Sequence, residues 1–264
     1  MHYPFSLIEV FNDPGQGLKG NTSTVIWLEE ALSDDTMQAI AADFNQPATT
    51  FIWPAGKVDT FHVRWFAPDG EIGLCGHGSL AAIAYLEETR QSEGELHLIY
   101  RDGTLSGQQT DEQSCSMRLQ AIPVTGEAPV SEVLKAGLGE KILGHFSTDN
   151  KNIVLLENES ALRNMKPDFA RLRESEIFGY AVTAPGDQVD FVSRTIVPHV
   201  QQLEDHATGS SHAALTAFWA GRLGKQQMLA LQLSRRGGRF LCKLDGQQVT
   251  LAGKFSVLAR GTWQ

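Results

Sequence analysis

Two segments of the chain place proton-carrying side chains next to glycines, and each runs directly into an apolar stretch. Residues 74–86 read LCGHGSLAAIAYL, and residues 203–219 read LEDHATGSSHAALTAFW. His77 and Asp205 are the candidate acids and bases of these segments, and Cys75 adds a thiol. Imidazole and carboxylate side chains are common proton carriers, so general acid–base chemistry is the first expectation.

Both segments are predicted to be loops that turn into buried helices, because the stretch after each loop is too apolar for a surface helix. Gly76, Gly78 and Gly209 let a ligand approach the backbone closely, and Thr208 and Ser210 are good helix N-caps. The N-terminus of a buried helix has free N–H groups and a partial positive charge. We therefore expect the two helix N-termini to meet at one site that binds a small anion.

Composition narrows the class of protein. The chain has 264 residues, of which 42% are apolar and 20% are charged, and its net charge is −9. This composition is typical of a globular enzyme, and the acidic balance argues against nucleic acid or an anionic membrane as partner. Cys75, Cys115 and Cys242 lack metal-ligand spacing, so we expect no metal. With no export signal and no membrane-spanning run, we expect reduced thiols in a cytoplasmic protein.

Hydrophobic patterns and turn residues predict a mixed chain of strands and helices. Ser33 is expected to cap a helix that runs to about Phe44. The predicted strands are residues 5–11, 24–28, 49–53, 61–66, 95–100, 103–107, 115–119, 240–244, 248–252 and 255–259.

The two halves of the chain echo each other. Residues 64–68 (RWFAP) resemble residues 194–198 (RTIVP), 130 positions later, and the Cys75-Gly76 pair matches Thr208-Gly209 at an offset of 133. Such near-constant offsets indicate an internal duplication, although short strands also resemble each other by chance. We expect two similar domains, residues 1–122 and 123–264, with the last strand free to cross back to the first domain. The site is expected in the cleft between them.

Five segments carry a resemblance to a known family. They are residues 20–21 (GN), 64–68 (RWFAP), 74–77 (LCGH), 204–210 (EDHATGS) and 232–238 (QLSRRGG). In this order, and over nearly the whole chain, they resemble the phenazine-biosynthesis-like (PhzF-like) isomerase family on the diaminopimelate epimerase fold. The resemblance implies an α+β protein of two pseudo-symmetric domains, each a curled, mostly antiparallel sheet around a central helix.

The same resemblance implies a function and a set of site residues. It implies a biosynthetic isomerase or epimerase that needs no cofactor or metal, moves a proton on a small carboxylate-bearing metabolite and forms a homodimer. His77 and Asp205 fall on positions expected to be catalytic. The residues expected to bind the substrate are Asn21, Gly76, Gly78, Thr208, Gly209 and Ser210.

One position departs from the family pattern. The family carries a proton-transferring glutamate in a segment Asn-x-Ser-Glu-Thr-x-Phe, whereas residues 45–51 read NQPATTF. Ala48 therefore stands where that glutamate is expected, and it cannot carry a proton. Two functions stay open: an isomerase that uses His77 and Asp205, and a non-catalytic protein that binds small carboxylates. Whether Asp69 or Glu71 replaces the lost carboxylate is also open.

Structural roles compete with the catalytic ones. His77 can cap its own helix, Asp205 can serve as an N-cap or an ion-pair partner, and Cys75 can be a small buried apolar residue. Racemases on this fold use two facing cysteines, but Thr208 holds the second position, which leaves a one-thiol epimerase through Cys75 as the less favoured alternative. His206 and His212 are expected at the edge of the cleft or on the helix surface.

Overall fold

The computed structural model describes residues 2–90 and 94–264 and shows a mixed α/β chain with seventeen strands in these residues. The strands are β1 (Tyr3–Asn12), β2 (Asn21–Trp27), β3 (Ala48–Pro54), β4 (Thr60–Ala67), β5 (Gly70–Ile72), β6 (Leu96–Tyr100), β7 (Gly103–Asp111), β8 (Ser114–Gln120), β9 (Val124–Glu127), β10 (Ile142–Thr148), β11 (Asn152–Leu156), β12 (Tyr180–Pro185), β13 (Phe191–Val197), β14 (Leu203–Asp205), β15 (Gln227–Gln232), β16 (Gly238–Asp245) and β17 (Gln248–Trp263). The α-helices are α1 (Asp34–Phe44), α2 (Gly76–Arg90), α3 (Glu132–Leu138), α4 (Glu159–Asn164), α5 (Phe169–Leu172) and α6 (Gly209–Leu223).

The chain divides into two compact units. The first unit is Met1–Leu119 together with Thr250–Gln264, and the second is Gln120–Val249. The predicted domains were residues 1–122 and 123–264, with the last strand free to cross back to the first domain. The C-terminal residues pair antiparallel with β1, from Tyr3 opposite Trp263 to Asn12 opposite Lys254, and so belong to the first unit.

The first unit is a closed ring of strands around one helix. β2 pairs antiparallel with β1 and parallel with β3, and β4 pairs antiparallel with β3 and parallel with β6. The antiparallel strands β6, β7 and β8 follow, and β17 closes the ring between β8 and β1. α2 lies inside this ring, and residues 80–86 are buried on every side of the helix. This is why α2 has no polar face.

The second unit repeats the same order of pairings. β10 and β11 are antiparallel, β11 and β12 parallel, and β12 and β13 antiparallel. β13 then pairs antiparallel with β14 and parallel with β15, as β4 does with β5 and β6. α6 takes the place of α2, since it connects β14 to β15 and is buried over most of its length.

A serine cap and an apolar face explain why α1 forms. The Ser33 side chain accepts a hydrogen bond from the Thr36 N–H, and Met37, Ile40 and Ala41 form the buried stripe of α1. None of the helices formed by residues 2–90 and 94–264 is long and apolar enough to cross a membrane.

The predicted strands 248–252 and 255–259 are one strand, β17, and not two. Gly253 lies between the two predicted strands, and a Cβ there would lie 2.5 Å from Phe11 Cδ1 and 3.1 Å from Phe11 Cα. Phe11 has a positive φ of 57° at an irregularity in the pairing of β1 with β17. The glycine therefore provides space for a bulge in the neighbouring strand and does not end its own.

The repeated arginines occupy the same place in the two units and differ in burial. Arg64 of β4 contacts Glu71 of β5 at 2.8 Å, and Arg194 of β13 contacts Glu204 of β14 at 2.8 Å. Arg64 also reaches the exposed Asp34, and its two carboxylate partners raise the pKa of its guanidinium. Only 11% of the Arg194 side chain is exposed, against 24% of the Arg64 side chain. The Arg194 guanidinium also donates to the carbonyl oxygens of residues 162 and 165.

Arg194→Met is expected to lower the free energy of unfolding by roughly 3 kcal/mol, because a largely buried carboxylate and two carbonyl oxygens lose a charged donor. Arg64→Met is the matched control in the first unit and should cost markedly less, since water can solvate the exposed carboxylate of Asp34. Thermal and urea unfolding followed by circular dichroism measure both variants. Equal losses would contradict the difference in burial.

Candidate active site

The N-terminus of α2 brings a thiol and an imidazole into contact. Cys75 Sγ lies 3.5 Å from His77 Nδ1 and 3.7 Å from Nε2, and both side chains are buried. Which ring nitrogen carries the proton depends on the tautomer, so the pair can form an S–H···N or an N–H···S hydrogen bond. Ser79 Oγ donates to the Cys75 carbonyl oxygen at 2.7 Å and thereby fixes the start of the helix.

Gly78 is a glycine because two side chains of the sheet press against it. A Cβ at this position would lie 2.6 Å from Trp65 Cδ1 and 2.7 Å from Thr50 Oγ1. Thr50 Oγ1 forms a 2.7 Å hydrogen bond with Ser23 Oγ, and the Trp65 indole N–H has no hydrogen-bond partner among the described residues. A group of polar atoms from β2, β3 and β4 thus surrounds the first turn of α2.

Ala48 is the first residue of β3 and is fully buried. Side chains two apart on a strand point to the same face, so its methyl group lies on the face from which Thr50 contacts Gly78. Its carbonyl oxygen accepts a 3.0 Å hydrogen bond from Ser23 Oγ. Asn21, at the start of β2, is also fully buried, and its Oδ1 accepts from the Thr22 N–H.

Asp205 and Thr208 form a hydrogen-bonded loop before α6. Thr208 is the N-cap residue, but its hydroxyl donates to Asp205 Oδ2 at 2.7 Å and does not cap the helix. The other carboxylate oxygen of Asp205 accepts from the His206 N–H at 2.9 Å. Gln232 of β15 secures the loop, since its Oε1 accepts from the Thr208 N–H and its Nε2 donates to the Asp205 carbonyl oxygen. Each oxygen of this carboxylate therefore already accepts one hydrogen bond from its own loop.

Ser210 has a charged neighbour that the sequence analysis did not identify. Lys151 Nζ donates to Ser210 Oγ at 3.0 Å and to Asn150 Oδ1 at 2.7 Å, and only 7% of Lys151 is exposed. Lys151 lies outside every recognised segment, just before β11, so no local pattern marked it. A buried lysine is uncommon enough that its place beside a predicted site residue is informative.

His212 is a core residue, which corrects its predicted position at the cleft edge or on the helix surface. It is fully buried, its ring stacks on Phe240 at 3.6 Å, and its Nδ1 lies 2.9 Å from the Thr208 carbonyl oxygen. Burial lowers the pKa of His212 to about 4, so the ring is neutral at physiological pH. Burial also lowers the pKa of His206, which lies half-buried in the loop.

One of the two carboxylates considered as a substitute for the family glutamate, and the thiols of the chain, have identifiable surroundings. Glu71 is held by Arg64 in an ion pair, so its carboxylate is already used on the sheet. The three cysteines are buried and form no disulfide. Burial raises the pKa of the Cys115 thiol well above its ordinary range and that of Cys242 to about 12, so neither is a nucleophile. Over residues 2–90 and 94–264, no group of His, Cys, Asp and Glu could hold a metal ion.

Comparison with known proteins assigns the family. The family model described as "Phenazine biosynthesis-like protein" matches residues 8–261. The chain belongs to this family. An uncharacterized isomerase of Pseudomonas aeruginosa is 37% identical over 262 residues, which cover 99% of this chain and 98% of the relative. The family resemblance drawn from the sequence motifs is confirmed.

Solved structures agree on the fold. The crystal structure of a PhzF-family protein from Enterococcus faecalis has a TM-score of 0.89 at 32% identity and covers both chains completely. A hydroxyproline epimerase from Agrobacterium vitis, solved with bound trans-4-hydroxy-L-proline, has a TM-score of 0.68 at 11% identity, over 99% of this chain and 92% of that one. The second likeness shows the fold alone. The chain therefore has the fold shared by PhzF-like proteins and these epimerases.

The pKa of His212 generates a prediction about stability. In the unfolded chain this ring takes up a proton near pH 6.5, whereas in the folded chain it stays neutral down to about pH 4. The folded state should therefore lose up to about 1.4 kcal/mol of stability per pH unit as the pH falls through this window, with no such dependence above pH 6.5.

The variant His212→Ser isolates this contribution, because the first unit has Ser79 at the matching position. It is expected to be less stable at pH 7, since it loses the ring stack, and to depend less steeply on pH between 6.5 and 4. Urea unfolding at each pH measures the slope, and His97→Ser, on the exposed face of β6, is the control. A slope in His212→Ser as steep as in the native chain would show that His212 is not the group responsible.

Proposed function

We propose that this chain is a cofactor-independent isomerase that moves a proton on a small carboxylate-bearing metabolite. Membership of a family of isomerases supports the reaction class. The finer proposal rests on one observation: in each unit, the buried central helix begins at a glycine-containing loop that carries side chains capable of proton transfer. Such a helix N-terminus favours an anionic group, as in a carboxylate or an enolate.

His77 and Asp205 are assigned the proton-transfer roles. The His77 imidazole lies in the first turn of α2, where a base removing a proton from the carbon next to a carboxylate would leave an anion near helix N–H groups. Asp205 is assigned as the second proton carrier, because two hydrogen-bond donors hold its carboxylate in place in the loop before α6. The substrate C–H bond breaks, its electron pair delocalises towards the carboxylate, and a proton returns to carbon from the conjugate acid.

A second candidate is supported by the contact between Cys75 and His77. An imidazole within 3.5 Å of a thiol can accept its proton and create a thiolate, which is the base of a one-thiol epimerase. In that case His77 acts through Cys75 and not on the substrate. A third candidate, a carboxylate-binding protein without chemistry, is supported by the buried alanine at the position of the family glutamate.

Solvent deuterium exchange distinguishes these candidates. The native chain is expected to exchange the proton at the carbon next to the carboxylate in at least one member of a panel of small amino acids and enol acids, measured by NMR. Asp205→Asn and His77→Asn should each slow exchange by roughly 10²-fold or more, because each removes a positioned acid or base. The exposed-residue controls Asp149→Asn and His97→Asn should exchange like the native chain.

The pattern of losses identifies the mechanism. Cys75→Ala with native exchange supports the His77 mechanism, whereas its complete loss of exchange supports the one-thiol epimerase. Tight binding of a panel member without any exchange would refute the isomerase and leave the binding protein.

Ala48→Glu tests whether the family carboxylate is all that the site lacks. The variant is expected to raise exchange by roughly 10²–10⁴-fold on a substrate of this class, since a correctly placed general base contributes about that much. It should also melt at a lower temperature, because position 48 is fully buried and a desolvated carboxylate is costly there. Pro47 restricts the backbone next to it and is the main obstacle to correct placement.

Ala48→Gln is the matched control, because it has the size of glutamate without the charge and should not raise exchange. A native chain that already exchanges efficiently, together with a slower Ala48→Glu variant, would show that this protein has its own base.

A further inference from the structure

Lys151 is a buried cation that no recognised motif of the chain includes. Its ammonium group donates to Ser210 Oγ and Asn150 Oδ1, and it lies 5.5 Å from the ring centre of Phe178. Phe178 is itself half exposed, so the aromatic ring covers the ammonium on one side and faces solvent on the other. The lysine thus extends from near the surface to the first turn of α6.

The strand register shows which residue Lys151 corresponds to in the first unit. Arg64 is opposite Phe51, which is opposite Ile26, and Arg194 is opposite Val182, which is opposite Val154. Counting back three residues from Ile26 and from Val154 places Lys151 where the first unit has Ser23. Ser23 makes short hydrogen bonds to two neighbours in β3, whereas Lys151 reaches across to the central helix. At this position the first unit thus has a serine that bonds within the sheet, and the second unit has a lysine that reaches the central helix.

The contact fixes how Ser210 can hydrogen-bond. An ammonium group has donors only, so Ser210 Oγ must be the acceptor in this bond. The hydroxyl hydrogen of Ser210 is then free to point away from Lys151 and towards a ligand. A hydroxyl that accepts from a cation is also a stronger donor, because hydrogen bonds polarise one another in a low-dielectric site.

We propose that Lys151 is a positioning residue that holds Ser210 as a hydrogen-bond donor to the substrate carboxylate and supplies positive charge beside it. This rests on the proposed function, since it takes Ser210 to bind a small carboxylate. Charge and geometry act together here: the ammonium favours an anion, and the serine determines which oxygen of the anion is bound. Lys151 acts through Ser210 and does not exchange protons with the substrate carbon.

A double-mutant cycle with malonate as the probe tests the proposal. Isothermal titration calorimetry at fixed ionic strength should show that Lys151→Met and Ser210→Ala each weaken malonate binding by roughly tenfold or more. The double variant should bind no more weakly than the weaker single variant, because the two residues act as one unit. Lys141→Met removes the same charge from an exposed position and should bind like the native chain.

Lys151→Arg keeps the charge and a donor, and it should recover part of the affinity that Lys151→Met loses. This variant also keeps the test decisive if Lys151→Met fails to fold, and the thermal midpoint of each variant is measured beside its affinity. If Lys151 had only a structural role, its variants would change the thermal midpoint, but the double-mutant cycle in malonate affinity would show no coupling between Lys151 and Ser210.

Three other outcomes overturn the proposal, and they are distinguishable. If Ser210→Ala weakens binding and Lys151→Met does not, the inference about Lys151 is wrong while the proposed carboxylate site stands. If both variants weaken binding and the losses add, Lys151 contributes charge but does not act through Ser210. If malonate binding to the native chain is absent or insensitive to Ser210→Ala, the proposed carboxylate site is itself wrong.

Discussion

The burial of a whole helix inside each sheet is the constraint on which the other features depend. α2 and α6 are apolar on nearly every side along their middle turns, and both place buried polar side chains in the N-terminal turn. The two units stabilise that turn in the same way. Ser79 in α2 donates to the carbonyl oxygen of Cys75, and His212 in α6 lies within hydrogen-bond distance of that of Thr208, four residues earlier in each case. The remaining N–H groups and the side chains around them form the candidate active site, because the first N–H groups of a helix have no partner within the helix.

The duplication provides a natural comparison, since one architecture has been built twice with different residues. In the first unit Trp65 packs on Gly78, and a side chain at position 78 has no room. In the second unit Thr195 stands in place of Trp65, and its hydroxyl donates to Ser211, the counterpart of Gly78. A small polar residue on the strand therefore permits a polar residue on the helix, while a large ring requires glycine. The chemistry of each helix start is thus determined by its partner strand as much as by its own loop.

Much of the first unit could be predicted from the sequence because its elements have strong local patterns, whereas the predicted strands include none of β9 to β15. The capping serine and buried stripe of α1, the two apolar helices and the alternation in β4 are local signals, and the structure has these elements within a few residues of the predicted bounds. The single long β17 could not be predicted, since Gly253 marks the bulge of a residue more than two hundred positions away. The burial of His212 was missed because its stacking partners lie on β13 and β16. Lys151 was missed for the same reason: its role depends on a contact with Ser210 across the unit.

Ala48 stands where the family resemblance places a glutamate, and it lies among polar side chains of β2 and β3. Ser23 Oγ hydrogen-bonds to the Ala48 carbonyl oxygen and to Thr50 Oγ1, so these buried hydroxyls have partners without any carboxylate. A glutamate at position 48 would bring a charge into a buried region, and the cost of desolvating it would have to be offset by new donors. Among the described residues, the buried hydroxyls of Thr24 and Thr49 and the Trp65 indole N–H have no hydrogen-bond partner, and the Trp65 ring contacts the start of α2 at Gly78. The first unit therefore combines the paired hydroxyls of Ser23 and Thr50 with buried polar atoms that have no partner among the described residues, and one of these atoms belongs to the Trp65 side chain that makes Gly78 necessary.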